Sequence, residues 1–228
     1  MKGIIFDFNG TMFFDEEFQN KAWKTFVKQK TGRDISDDEF QEYIHGRNAD
    51  VSLPYLLQRN LTKQEVMDLE EEKELIYRRL CLESRDFKLA DGLPRFLDDL
   101  TAAEIPHTIA TASALANVRF FFENLNLYQW FRLEDVIYND GTIPGKPEPD
   151  IYLRAADAIQ VDISDCVIFE DAKSGIESAK RAGAGKIVGV ASMLDDNTLL
   201  DLGASMTIAD YKDLDLLHEI EIYGGQKS

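Results

Sequence analysis

The sequence predicts an α/β fold in which a doubly wound parallel sheet is interrupted by an all-helical insertion. Short, continuously apolar segments recur along the 228 residues, and such runs are typical of strands that are buried on both faces of a parallel sheet. Segments with helical spacing alternate with these strands, as a doubly wound sheet requires. One long interval, residues 15–85, has helical spacing throughout and contains no convincing strand.

The strands and helices of the sheet domain follow in chain order. Six apolar segments are predicted to be strands, the last of them at a sheet edge: 3–8, 107–111, 136–138, 166–169, 186–191 and 206–209. Four segments between them have helical periodicity: 93–103, 116–125, 150–158 and 174–182. Gly183 follows the last of these helices, and glycine is a common residue at a helix end.

The insertion carries an amphipathic helical pattern. Apolar residues recur at helical spacing near its start: Phe18, Ala22, Trp23 and Phe26. This spacing favours a helix whose apolar side packs in a small core of its own. We therefore predict two domains: a core domain of residues 1–14 and 87–228, and an all-helical domain of residues 15–86.

The charge of the chain limits its partners. Asp and Glu number 42 against 25 Lys and Arg, a net charge of −17. A field of that sign repels nucleic acid and anionic membranes, so neither is an expected partner. No apolar run approaches the ~20 residues of a membrane-spanning helix, and the N-terminus does not resemble a secretory signal. Because Cys81 and Cys166 are isolated, they predict neither a disulfide nor a zinc site. We expect a cytoplasmic monomer.

Polar side chains stand where three of the predicted strands end. They are Asp7 after the first strand, Thr111 and Ser113 after the second, and Glu170 and Asp171 after the fourth. Lys146 lies in a Gly-Lys-Pro-Glu-Pro loop just before a helix. In open parallel sheets, ligands bind beyond the carboxyl ends of the strands. These side chains are therefore candidates for one site.

Together, these residues supply a nucleophilic carboxylate, a hydroxyl, a cation and an acidic pair. Those groups are the ones that transfer a phosphoryl group through an aspartyl-phosphate. Each residue alone also has a structural interpretation: Asp7 as a turn former, Thr111 and Ser113 as helix N-caps, and Lys146 as a solvated loop residue. Their joint occurrence, in order and at matching strand ends, favours the catalytic interpretation.

The same residues resemble the four motifs of the haloacid dehalogenase superfamily. The matching segments are Asp7-Phe8-Asn9-Gly10-Thr11, then Thr111, then Lys146 in GKPEPDIY, then Glu170-Asp171 in FEDAKSGIESAKRAG. The insertion resembles the small helical cap domain of the β-phosphoglucomutase-like subfamily. The resemblance implies a Rossmann-like core with a cap that closes over the site and excludes water.

The resemblance also implies a role for each site residue. Asp7 would attack phosphorus, and Thr111 and Lys146 would hold the transferring phosphoryl oxygens. Ser113 would join them in binding phosphate, and Gly10 would let the backbone approach it closely. Arg47 falls where related proteins have a substrate-reading loop. It could pair with a second anionic group of the substrate, or be a surface residue at a helix end.

A magnesium site is implied by the same resemblance. Mg²⁺ would be bound by Asp7, by the backbone carbonyl of Asn9 and by Asp171, with Glu170 as a direct or water-mediated ligand. Oxygen-only ligation with retained waters suits this ion. It would neutralise charge between the nucleophile and the phosphate, so that an anion can attack an anion.

Asn9 departs from the family pattern. Phosphatases and mutases of this superfamily carry aspartate two residues after the nucleophile, where it acts as general acid and base. A carboxamide can donate a hydrogen bond but cannot shuttle a proton. General acid–base catalysis typically contributes ~10²–10⁴ in rate. We therefore expect slow turnover of alkyl phosphate esters and a smaller penalty for acyl or aryl phosphates.

Three functions remain open at this point. The preferred one is a Mg²⁺-dependent phosphohydrolase that acts on a small phosphorylated metabolite such as a sugar phosphate. A β-phosphoglucomutase-like isomerase is disfavoured by Asn9, and by Gln19, which stands ahead of Trp23 where related mutases have a histidine. The third is a low-activity protein that binds phosphometabolites. Asn9 is compatible with a proton carried by another group, with a binding role, or with a change introduced to trap a complex.

Overall fold

The computed structural model describes residues 2–44 and 49–212. The chain divides into two compact units, residues 1–14 with 88–228, and residues 15–87. We call the first the core unit and the second the helical unit. Arg47 lies outside the described residues, so its predicted role in substrate binding stays a prediction.

The core unit is built on a six-stranded parallel sheet with flanking helices. Its strands are β1 (Gly3–Phe6), β2 (His107–Ala114), β3 (Ile137–Asn139), β4 (Cys166–Glu170), β5 (Lys186–Val190) and β6 (Met206–Ile208). They are arranged in the order β3-β2-β1-β4-β5-β6, with every pair parallel. The chain therefore winds outwards from β1 in both directions. The predicted doubly wound α/β fold is confirmed, with β6 at an edge.

Five helices belong to this unit: α5 (Leu93–Ala102), α6 (Leu115–Asn124), α7 (Asp150–Ala158), α8 (Lys173–Ala182) and α9 (Asp196–Leu202). Ile151 and Ala155 of α7 pack with Ile176 of α8 and Ile168 of β4 in one buried apolar cluster. The apolar sides of α7 and α8 thus cover the sheet. Gly183 ends α8 in the left-handed conformation (φ 80°), as predicted.

The second strand is longer than predicted. Its pairing with β3 joins Ala110 to Ile137 and continues, after a shift in register, to Ala114 and Asn139. Thr111 and Ser113 therefore lie within β2 and not after it, which corrects the prediction. Neither caps α6 either, because the N-cap of that helix is Ala114 and has no side-chain hydrogen bond.

The helical unit consists of α1 (Glu16–Thr31), α2 (Asp37–Tyr43), α3 (Ala49–Leu57) and α4 (Lys63–Glu83). A capping box begins α4: the Thr62 hydroxyl accepts from the backbone N–H of Glu65, and the Glu65 carboxylate accepts from the backbone N–H of Thr62. Val27 and Phe40 belong to a buried cluster against which Trp23 packs. This supports the interpretation of Trp23 as part of an apolar core.

A buried polar network joins α1 to α4 in the helical unit. The Asp15 carboxylate accepts from the Tyr77 hydroxyl at 2.8 Å and from the Gln19 amide at 3.1 Å. The Gln19 amide oxygen in turn accepts from Lys73 Nζ at 2.9 Å, and that ammonium lies 5.2 Å from the Trp23 ring centroid. The Gln19 side chain thus connects α1 to Lys73 of α4. Within residues 2–44 and 49–212, no helix is long and apolar enough to cross a membrane.

Candidate active site

The predicted site residues of the core unit lie where the strand order reverses. β1 has β2 on one side and β4 on the other, so the carboxyl ends of these three strands are neighbours. Asp7 follows β1 directly, and its backbone N–H donates to the carbonyl of Phe169 in β4 at 3.0 Å. This crevice is where open α/β sheets bind ligands.

Lys146 joins two carboxylates at this edge of the sheet. Its ammonium donates to Asp7 Oδ1 and to Glu170 Oε1, each at 2.6 Å. Both carboxylates are buried, and the Lys146 side chain is only 8% exposed. A charged lysine on the loop before α7 is thus shared by the strand ends of β1 and β4. It is not the solvated loop residue of the structural interpretation.

The turn after β1 brings the backbone of Gly10 close to the Asp171 carboxylate. The backbone N–H groups of Met12 and Phe13 both donate to the Phe8 carbonyl, at 2.8 and 3.1 Å. Gly10 has a φ of +78°, and a Cβ placed there would lie 2.1 Å from Asp171 Oδ2. The Thr11 hydroxyl donates to the other oxygen, Asp171 Oδ1, at 3.0 Å. Only glycine allows this approach.

Ser113 contacts the residue that departs from the family pattern. Its hydroxyl donates to Asn9 Oδ1 at 2.8 Å, and its backbone N–H donates to the buried Thr111 hydroxyl at 3.1 Å. The two hydroxyl residues of β2 are therefore linked to each other, and through Ser113 to Asn9. They stand beside the turn that follows β1.

The electrostatics of the site are dominated by its carboxylates. Burial, followed by the negative charges of Glu170 and Asp7, raises the pKa of Asp171 well above its ordinary value. Burial alone would lower the pKa of Lys146, but the Asp7 and Glu170 carboxylates raise it well above its ordinary value. Lys146 is therefore a fixed cation. One cation stands against three carboxyl groups, so the site favours additional positive charge.

Acidic groups in this site are distributed and not gathered in a cage. Within residues 2–44 and 49–212, no three His, Cys, Asp or Glu side chains form a ready-made metal cluster. Asp7 and Glu170 point at Lys146, while Asp171 meets Thr11 and Gly10. Each of these carboxylates therefore accepts from a donor, Lys146 or Thr11.

Three residues with clear contacts in this site were not singled out from the sequence. The Tyr152 hydroxyl donates to Glu170 Oε1 at 2.9 Å. Gly175 leaves room for the Glu170 carboxylate, because a Cβ there would lie 1.6 Å from Oε1. Thr11 donates to Asp171. All three lie inside the quoted motif segments, but nothing in their spacing indicates which carboxylate each one contacts.

Known proteins are similar to this chain over most of its length. Residues 1–183 match the haloacid dehalogenase-like hydrolases. The chain is 28% identical to the phosphorylated carbohydrates phosphatase of Thermotoga maritima, over 96% of this chain and 100% of that protein. It is 31% identical to the β-phosphoglucomutase of Bacillus subtilis, over 96% of this chain and 95% of that protein.

A solved structure extends the match to the whole fold. A family IA, variant 3 hydrolase of this superfamily from Entamoeba histolytica superposes with a TM-score of 0.92 at 36% identity. The match covers 98% of this chain and 100% of that one. The chain is therefore an enzyme of the haloacid dehalogenase-like hydrolase family, with a β-phosphoglucomutase-like architecture.

Proposed function

We propose that this protein is a Mg²⁺-dependent phosphatase of small phosphorylated carbohydrates that works through an aspartyl-phosphate on Asp7. The single observation that carries the proposal is the pair of 2.6 Å contacts from Lys146 to Asp7 and Glu170 at the switch point of the sheet. The substrate class is taken from the names of relatives, a phosphorylated carbohydrates phosphatase and a β-phosphoglucomutase.

The chemistry is a double displacement at phosphorus. A carboxylate oxygen of Asp7 forms a bond to phosphorus while the bond to the leaving oxygen breaks, and that oxygen takes up a proton. Water then attacks the phosphoryl group, releases inorganic phosphate and restores Asp7. Lys146 balances the charge of the nucleophile and of the phosphoryl oxygens, and the Thr111 and Ser113 hydroxyls can hold those oxygens.

A magnesium ion fits the donors of this edge. Asp7 and Asp171, with the backbone carbonyl of Asn9, offer oxygen ligands, and Glu170 can take part directly or through water. Mg²⁺ binds proteins through one or two carboxylates and keeps several waters, so it does not need a preformed cage. Burial, followed by the negative charges of Glu170 and Asp7, raises the pKa of Asp171, and a bound cation would favour its charged form. When bound, the ion would screen the nucleophile from the phosphate charge.

Asn9 sets the leaving-group preference of this phosphatase. The amide oxygen of Asn9 accepts from the Ser113 hydroxyl. The other group of this side chain is an amide N–H, which can donate a hydrogen bond but cannot transfer a proton. The leaving oxygen of an alkyl ester must then take its proton from water. Leaving groups of low pKa need no such help, so the rate should fall steeply as the leaving-group pKa rises.

Two other functions predict different outcomes in the same assays. A β-phosphoglucomutase-like isomerase, which the relative in Bacillus subtilis favours, predicts isomerisation of sugar phosphates that needs a bisphosphate activator. It also requires a base for the sugar hydroxyl, which Asn9 does not provide. A binding protein predicts tight metabolite binding by calorimetry without turnover.

The test is phosphate release from sugar, nucleotide, acyl and aryl phosphates, with and without Mg²⁺. We expect metal-dependent release that Asp7→Ala abolishes, and a gain of about 10²-fold on alkyl esters for Asn9→Asp, the size of general acid catalysis. Asn197→Asp, at an exposed position of α9, adds the same charge away from the site and should change nothing. Full activity of Asp7→Ala would end the proposal.

A further inference from the structure

We propose that Tyr152 is a positioning residue that keeps the Lys146 ammonium shared between Asp7 and Glu170. The proposal rests on the proposed function, because it assigns Tyr152 an effect on the step in which Asp7 reacts. Tyr152 does not touch Asp7 or a substrate in this role. It acts through the lysine and through Glu170.

Tyr152 contacts both members of the Lys146–Glu170 pair. It lies in the first turn of α7 and is fully buried. Its hydroxyl donates to Glu170 Oε1 at 2.9 Å, the same oxygen that accepts from Lys146. Its ring centroid lies 4.9 Å from Lys146 Nζ, within the range of a cation–π contact. Ring, ammonium and carboxylate therefore form a closed triangle.

Lys146 needs such support because its ammonium lies far from its backbone. Its backbone belongs to a turn before α7, closed by the hydrogen bond from the Glu148 N–H to the Gly145 carbonyl at 3.1 Å. A lysine side chain is a point charge on a flexible four-carbon stem. Two carboxylates at equal distances of 2.6 Å compete for it. Contacts on a rigid helix can hold the ammonium between them.

The hydroxyl of Tyr152 weakens one of the two competitors. It supplies Glu170 Oε1 with a second donor, while Glu170 Oε2 accepts from the backbone N–H of Ala172 at 2.8 Å. Without the hydroxyl, Lys146 would be the remaining donor to Oε1 among these contacts. A hydrogen bond stabilises the charged form of a carboxylate, so Glu170 without this donor would be more basic and would attract the Lys146 ammonium more strongly. The ammonium would then move towards Glu170 and away from Asp7.

The ring has a separate effect that does not depend on the hydroxyl. When Asp7 carries a phosphoryl group, its charge and position change, but the ring of Tyr152 stays beneath Lys146. The ring can therefore keep the ammonium at the site throughout the reaction. Because the two effects belong to different parts of one side chain, two substitutions separate them.

The experiment compares Tyr152→Phe, which removes the hydroxyl, with Tyr152→Leu, which removes the ring as well. The assay is Mg²⁺-dependent phosphate release from an aryl phosphate, whose leaving group needs no general acid. We expect kcat to fall about tenfold for Tyr152→Phe and about a hundredfold for Tyr152→Leu, with KM changed less than about twofold, since the loss is in the reacting step.

A matched control exists in the helical unit. Tyr77 is also fully buried, and its hydroxyl donates to a buried carboxylate, Asp15, at 2.8 Å. Tyr77→Phe should lower stability about as much as Tyr152→Phe while leaving kcat within about twofold, because it removes no contact of Lys146. If Tyr152→Phe keeps the wild-type kcat, or Tyr77→Phe loses as much, the positioning role is refuted.

A crystal structure of Tyr152→Phe supplies a readout that does not require activity. We expect Lys146 Nζ to remain on Glu170 and to leave hydrogen-bond distance of Asp7. An ammonium still shared by both carboxylates would overturn the proposal. Failure of the proposed function shows up separately, as metal-dependent release that persists in Asp7→Ala whatever the Tyr152 variants do.

Discussion

The core unit and the helical unit each contain a buried network of the same three parts: a lysine, a tyrosine ring beneath its ammonium, and a carboxylate that accepts from the tyrosine hydroxyl. In the core unit these are Lys146, Tyr152 and Glu170. In the helical unit the ammonium of Lys73 lies 5.8 Å from the Tyr77 ring centroid, and the hydroxyl of Tyr77 donates to Asp15. Side-chain composition alone would not tell them apart.

The two networks differ in what surrounds them. Lys73 pairs with Glu74 of its own helix and with the amide of Gln19, so its network joins two regular helices. In the core unit, Lys146 is shared by carboxylates from two different strand ends. Glycine backbone packs against two carboxylates there, Gly10 against Asp171 and Gly175 against Glu170.

This difference separates a network that binds a ligand from one that only stabilises the fold. A buried lysine on a tyrosine ring is compatible with a purely structural role, since it satisfies buried polar groups and links helices. Unbalanced carboxylates at the switch point of a parallel sheet, with glycine clearing the space beside them, indicate a ligand.

Among substitutions that leave the nucleophile Asp7 in place, Lys146→Met should have the largest effect on turnover. The substitution keeps the length of the side chain but removes the charge that Asp7 and Glu170 share. We expect kcat to fall by about 10³-fold, the upper end of the loss seen when one preorganised donor is removed from a transition state. Phosphate release under saturating Mg²⁺ measures this loss.

Lys146→Arg separates charge from geometry. It keeps the positive charge, but a planar guanidinium does not match two carboxylates that meet a single ammonium at 2.6 Å. We expect it to be more stable to urea than Lys146→Met and still poorly active. If the arginine variant were as active as wild type, net charge and not the shared contact would be what the site requires.

Gly175→Ala should follow, with a loss of about 10²-fold, the cost of misplacing a catalytic group by about 1 Å. A Cβ at this position would lie 1.6 Å from Glu170 Oε1, so the carboxylate that holds Lys146 must move. Gly145→Ala is the matched control, because nothing lies within 4 Å of a Cβ there. Steady-state kinetics should show a loss of kcat for the first variant only, with both variants folded by circular dichroism. Equal losses would show that the effect of Gly175→Ala does not come from moving the Glu170 carboxylate.

Much of the fold could be predicted from local pattern. Strand β4, Cys166–Glu170, is continuously apolar up to its last residue. Helix α7 has the predicted bounds, 150–158. The extension of β2 to Ala114 could not be predicted, because it depends on pairing with Asn139 far along the chain. Local sequence patterns indicate where helices and strands lie. They do not show which neighbouring strand will extend a strand by pairing with it.

The site shows the same limit. Asp7, Lys146 and Asp171 could be predicted because each belongs to a motif that stands at a strand or loop end. The contact between Ser113 and Asn9, which are 104 positions apart, could not be predicted, and neither could the contact of the Tyr152 hydroxyl with Glu170. Those contacts exist only once the strands lie side by side. Arg47, outside the described residues, remains a prediction.

Tyr77→Phe tests the helical network as a structural feature. It removes the 2.8 Å hydrogen bond to Asp15 and leaves a buried carboxylate with one donor fewer. We expect the free energy of unfolding to fall by about 1–3 kcal/mol, the usual cost of an unsatisfied buried group. Urea unfolding followed by circular dichroism measures it. Tyr128→Phe, at an exposed position, should change stability little, and an unchanged Tyr77→Phe would show that the network contributes nothing to stability.

His107 provides the smallest and most selective test, because it is a partly buried polar residue of the core unit at the amino end of β2, away from the site. Its Nδ1 donates to the Ile105 carbonyl at 2.7 Å, and its ring packs against Phe131. Burial lowers the pKa of His107 below its ordinary value of 6.5. The unfolded chain therefore binds a proton near pH 6 that the folded chain does not.

Stability contributed by neutral His107 is accordingly complete above pH 6.5 and is lost as the pH falls, by up to about 1.4 kcal/mol per pH unit until the folded pKa is reached. His107→Gln should remove that part of the slope while phosphate release at pH 7.5 stays unchanged. Urea unfolding of both proteins at pH 7.5, 6.5 and 5.5 (chosen around the ordinary pKa of about 6.5) gives the comparison. Parallel curves would mean that His107 takes up a proton equally well in both states. If His107→Gln lost activity, a residue at the amino end of the sheet would also affect catalysis. Position at the carboxyl edge would then not distinguish the proposed catalytic network from other polar groups.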